Sequence, residues 1–178
     1  MCPSAQQAPE SDQSDIKAVD KSQNHLERAM TKNSQGPWFA ARCLGFGGLI
    51  PFVGLAATLW LVPSAIQPLW AAALLGYGAT ICSFLGAIHW GLTMRDGPVP
   101  RASSLLWGVI PSLLSWVALL VGTAPGLLLI AVTLCACSAV DRLAYPRAQL
   151  QAWLPMRFQL TLVAGLSCLA GAAALKLL

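Results

Sequence analysis

Two histidines occur in this 178-residue chain, and one of them, His89, stands inside a long apolar run. An ionisable side chain in such a run points inward and marks a functional site by default, because lipid gives it nothing to bond to. The plainer reading is that His89 bonds a carbonyl or headgroup near a helix end. Asp141 closes another apolar run at the same depth, so an ion pair with His89 is open to it. Pairing with Arg142, Arg95 or Arg157, or simply ending the helix in solvent, is equally open. Most of Ser112, Ser115, Arg157, Gln159 and Thr161 fall in the same half of the chain's apolar thickness. The candidate set is therefore His89, Asp141, Arg95, Ser112, Arg157 and Gln159, read as a polar vestibule rimmed by Arg95, Arg101, Arg142, Arg147 and Arg157. Such a rim suits an anionic headgroup or a phosphate-bearing metabolite, and it is also what membrane topology produces with no ligand at all.

No catalytic pattern accompanies these residues: HExxH, a Walker loop and GxSxG are all missing from the sequence. Two histidines, one of them in a polar tail, do not make a metal or haem centre. The six cysteines include no CxxC pair. Cys135 and Cys137, two apart, face different sides of a helix, so the cysteines read as small packing residues rather than a redox framework. No catalytic, cofactor or metal site is expected.

The elements that must position these residues are membrane helices. Hydrophobic residues make up 56% of the chain and charged residues 10%, against about 25% charged in a soluble domain. A spanning helix needs about 20 mostly apolar residues. Five stretches qualify: Cys43–Val62, Leu69–Met94, Ser104–Gly122, Pro125–Val140 (short unless it runs on to Leu143 or Tyr145) and Met156–Leu178. Residues 1–36 are rich in Gln, Ser, Asp and Lys and cannot bury enough surface to offset their ordering entropy. The expected fold class is all-α, a polytopic bundle of about five transmembrane helices over 37–178 with a disordered tail over 1–36. Met30 stands as an alternative start of translation.

Basic residues orient the bundle. Lys32 and Arg42 precede the first span, Arg95 and Arg101 follow the second, and Arg142, Arg147 and Arg157 lie between the fourth and fifth. Only Lys176 falls on the other side. The N-terminus is expected in the cytoplasm and the C-terminus across the membrane. This rule accounts for the formal charge of +4, so nucleic acid is not an expected partner.

Between helices in lipid, association rests on close backbone approach, which favours small residues. Gly78, Cys82 and Gly86 recur every four residues in the second span, with Ala79, Ser83, Ala87 and Gly91 as an adjoining row. Gly108 with Ser104 and Ser112, and Gly171 with Ser167, make shorter versions in the third and fifth. The second span is the expected centre of the bundle. At about 100° per residue, His89 lies only some 20° from Cys82 and from Gly78.

Four strings also resemble a known family. They are Leu44-Gly-Phe-Gly-Gly-Leu-Ile-Pro-Phe52, Tyr77-Gly-Ala-Thr-Ile-Cys-Ser-Phe-Leu-Gly-Ala-Ile-His-Trp-Gly91, Trp107-Gly-Val-Ile-Pro-Ser-Leu-Leu-Ser-Trp116 and Trp153-Leu-Pro-Met-Arg-Phe-Gln-Leu-Thr161. The family is that of the domain of unknown function 3429, which includes bacterial inner-membrane proteins and a mitochondrial relative. The resemblance covers about residues 40–175. It implies a multi-pass protein of the bacterial inner membrane and transfers no activity. His89, Trp90, Pro111, Ser112, Asp141 and Arg157 fall on the family's recognisable strings.

The expectation from these readings is a non-enzymatic scaffold or assembly partner of a membrane complex, held in the lipid bilayer and paired with another membrane protein or with copies of itself. The alternative is a small transporter, or a protein that binds lipid or an anionic metabolite in the cytoplasm-facing vestibule.

Overall fold

The computed structural model describes Lys21, residues 38–95 and residues 102–177. The expected tail over 1–36 (Lys21 apart), the rim residue Arg101 and the side chain of Lys176 lie outside the described residues. Two compact units divide the chain, Met1–Leu44 and Gly45–Leu178. In the first, residues 38–44 are helical. The second is all helix among the described residues: α1 (Leu49–Leu61), α2 (Gln67–Arg95), α3 (Ala102–Leu120), α4 (Thr123–Ala144) and α5 (Leu154–Leu177), with a 3₁₀ turn at Gln151–Trp153 before α5. By length and composition five stretches can cross a membrane: Trp38–Leu61, Gln67–Arg95, Ala102–Leu120, Thr123–Ala144 and Gln151–Leu175.

The element count expected from hydropathy holds, and the boundaries move for local reasons. The third and fourth spans meet at Val121 and Gly122, not at 123–124. Pro125 falls in the first turn of α4, where its missing N–H leaves no bond unmade. Gly122 takes φ +94°, a conformation that favours glycine, and so reverses the chain within two residues. The reversal brings α3 and α4 so close that a Cβ on Gly126 would collide with the Ala118 carbonyl. At the head of α1, the helical run is interrupted at Gly48, three residues before Pro51. Pro51 has no N–H to give the preceding turn, and the Tyr77 hydroxyl reaches across from α2 to donate to the Gly48 carbonyl at 2.8 Å. At the other end of α1, the buried Gln67 amide donates to the Leu59 carbonyl at 3.1 Å, satisfying one of the orphan acceptors of a helix C-terminus.

α2 packs against all four other helices, which makes it the centre of the bundle. α4 packs on α2, α3 and α5, and α5 closes back on α1. The core lies where small residues let backbones approach. Gly78 admits Ile130 of α4, whose Cγ2 would stand 2.8 Å from an added Cβ. Cys82 is fully buried. Gly171 of α5 admits Leu74, at 2.7 Å by the same measure. Gly86 and Gly108 meet backbone to backbone between α2 and α3, with Pro111 beside them. Trp90 lies over Gly108 and donates its indole N–H to the Leu105 carbonyl at 2.9 Å. The adjoining row is narrower than its sequence spacing suggests. Ala79 is buried, but Ala87 and Gly91 are exposed, and a Cβ on Gly91 would meet nothing within 4 Å.

Candidate functional site

His89, Asp141 and Arg157 converge from three helices. His89 rides on the buried face of α2, two turns past Cys82. Asp141 stands in the last turn of α4, and Arg157 in the first turn of α5, just across the chain reversal at 145–153. α2 and α4 run the same way and α5 runs back, so the three positions share one end of the bundle. His89 Nε2 is 3.1 Å from Asp141 Oδ1. On the other oxygen, Arg157 donates from Nε at 2.9 Å, and its Nη2 donates to the same Oδ2. Asp141 is 1% exposed and His89 4%.

The chemistry of the donor set fixes the roles. A buried carboxylate is costly unless paired and hydrogen-bonded. Here both carboxylate oxygens are engaged, one by a guanidinium and the other by an imidazole. An ionised carboxylate only accepts, so Nε2 of His89 carries the hydrogen in this contact. The backbone around the cluster is also satisfied: Thr93 Oγ1 donates to the His89 carbonyl at 2.8 Å. The Tyr145 N–H returns to the Asp141 carbonyl at 2.9 Å, and the Leu150 N–H to that of Tyr145 at 2.8 Å. Tyr145 itself is buried just past the end of α4. Burial pushes its phenol up, and the neighbouring Arg157 guanidinium opposes that shift only in part. The arrangement is a clamp that joins α2, α4 and α5 at one level.

Of the six candidate polar residues, these three come together. Ser112 is half-buried on α3, Gln159 is exposed on α5, and Arg95 is exposed with Nη2 donating to the Ala148 carbonyl at 3.3 Å. The open choice of partner for Asp141 resolves to two of its four candidates at once. Arg142, next to it in sequence, points elsewhere and places its guanidinium 5.0 Å from the centre of the Phe158 ring. Thr133, Cys137, Ser138 and Asp141 of α4, and Tyr145 just past its end, are all buried, while Cys135 is exposed. Sequence reasoning missed the Trp90–Leu105 bond, the Tyr77–Gly48 bond and the Gly126 contact. The four-residue spacing of Gly122 and Gly126 was a usable signal for the last. Among the described residues, no three His, Cys, Asp or Glu side chains are grouped to hold a metal ion.

A family described as "Protein of unknown function (DUF3429)" matches residues 38–173, from the start of the first span almost to the end of α5. The chain belongs to this family. The match includes every member of the clamp and every glycine of the helix seams. Transmembrane protein 69 of Xenopus tropicalis is 43% identical over 79 residues, which cover 43% of this chain and 31% of that protein. The aligned part thus spans less than a third of the relative's length. No solved structure matches the chain. With five apolar helices of spanning length and this kinship, the protein is a multi-pass membrane protein.

Proposed function

We propose that this protein is a non-enzymatic scaffold or assembly partner of a larger membrane complex, in the inner membrane of a bacterium. The observation that carries the reading is the closed ion cluster. His89, Asp141 and Arg157 are spent on one another, which suits a device that fixes the relative placement of three helices better than a group awaiting a substrate. The orientation belongs to the same reading. Arg95, Arg142, Arg147 and Arg157 lie at helix ends or connections on one side of the alternating spans, so in this reading that side faces the cytoplasm with the N-terminus, and the C-terminus lies across the membrane.

Purification of the tagged full-length chain in mild detergent tests the reading. The expected result is a second membrane protein, or further copies of the chain, at fixed stoichiometry and resistant to dilution. A lone monomer that carries an anionic metabolite overturns it in favour of a small transporter or metabolite-binding protein.

A further inference from the structure

A groove of about 550 Å³ runs between α4 and α5, and its lining changes chemistry along its length. One end is Arg142, whose cation lies over Phe158 and is thereby held at the groove mouth. One turn further in come the hydroxyl residues Ser138 and Thr161. Beyond them the walls are apolar, aliphatic apart from the Cys135 thiol. Val132 is 65% exposed, Leu162 49% and Leu166 56%, so these walls face whatever surrounds the bundle. The depth comes from a missing side chain: a Cβ on Gly165 would meet nothing within 4 Å. On α4 the lining extends from Arg142 to Leu128, about 21 Å at the helical rise. One leaflet contributes about half of a roughly 30 Å hydrocarbon core. The groove is therefore long enough for one leaflet's acyl layer and the polar level above it.

Cation, hydroxyls and aliphatic wall follow the order of phosphate, glycerol ester and acyl chain. We propose that the α4–α5 groove holds one anionic phospholipid, with its phosphate on Arg142 and an acyl chain laid along Val132, Leu162 and Leu166 over Gly165. A zwitterionic lipid shares the chain but not the net charge, so Arg142 is the selecting residue. Arg157, next to Phe158 in sequence, cannot take that role because Asp141 engages it. This inference stands apart from the scaffold reading, since protein stoichiometry tests that one and bound lipid mass tests this one.

The test offers the full-length chain, in mild detergent, equal amounts of phosphatidylglycerol and phosphatidylcholine of identical acyl chains, with native mass spectrometry as the readout. Wild type retains the anionic lipid about fivefold over the zwitterionic one, the preference expected of a single arginine near an anionic surface. Arg142→Gln brings the two lipids to parity. Arg147→Gln, at the same end of the bundle but outside the groove, keeps the fivefold preference. Gly165→Leu fills the floor and lowers retention of both lipids. Should that variant fail to fold, Val132→Trp blocks the same space from the exposed wall. Equal retention by wild type, an Arg142→Gln variant that keeps its preference, or a dimer mass in place of the lipid adduct overturns the proposal. The last outcome would mean that a second copy covers the groove.

Discussion

Asp141 is the residue on which the cluster turns, because it alone touches both partners. Removing one partner from a buried ion pair in a soluble protein costs about 3–5 kcal/mol, whereas polar contacts between membrane helices average about 0.6 kcal/mol with a maximum near 1.7. The two figures rank the side chains. Arg157→Met strands a buried carboxylate and is expected to be the most destabilising single change, above the membrane average. His89→Ala removes one hydrogen bond and leaves the Arg157–Asp141 pair, so it is expected to cost about 0.6–1.7 kcal/mol. In a thermal melt in detergent, Arg157→Met should therefore lie below His89→Ala, and the reverse order would refute the clamp. His89→Ala combined with Asp141→Asn should lose less than the sum of the singles, since the contact can be lost only once. Strict additivity would show that the two side chains are independent helix ends.

Among the elements, the α2–α3 seam is the least forgiving. A side chain on Gly86 meets the Gly108 carbonyl, and one on Gly108 meets the Trp90 ring. Backbone cannot retreat as the end of a flexible side chain can. Gly86→Leu is expected to cost about 1–3 kcal/mol by overpacking, with Gly108→Ala close behind because it also displaces the Trp90–Leu105 bond. Gly91→Ala, one turn on but facing open space, should stay within about 0.5 kcal/mol of wild type. Melting temperatures of the three variants, measured side by side, check this; equal effects at Gly86 and Gly91 would mean that the seam does not govern packing. The four-residue recurrence of small residues in the Gly78–Cys82–Gly86 row falls on buried positions of α2. It overstated the width, because Ala87 and Gly91 turn away. Periodicity reports which residues share a helix face, while the partner helix decides how much of that face it covers.

For the whole molecule, an odd number of spans puts the two ends on opposite sides. A reporter active only in the cytoplasm should work when fused at Pro98 or Ala148 and be silent after Leu178. Activity at Leu178 would require an even number of spans. Because the family match begins at residue 38, deleting residues 2–29 should leave insertion and folding intact. Failure to insert would identify the segment as a working signal.

The five spans, the order of the basic connections and the small-residue rows were legible in the chain because each is a local property: hydrophobic length, charge between lengths, and spacing along one helix. Lipid enforces them directly, since a backbone in hydrocarbon must satisfy its own hydrogen bonds. The partner of Asp141 was not legible. His89, Arg95, Arg142 and Arg157 were all within reach by depth, and depth is the only coordinate that a hydropathy pattern supplies. Rotation about each helix axis supplies the other, and it is set by packing. Gly78 against Ile130, Gly126 against Ala118 and Gly171 against Leu74 turn α2, α4 and α5 until His89 and Arg157 both face Asp141 and Arg142 faces Phe158 instead. The same rotation opens the α4–α5 groove, which no run of residues in the chain spells out. Tertiary structure decided the site because the site consists of angles between helices, and those angles follow from contacts between residues far apart in sequence.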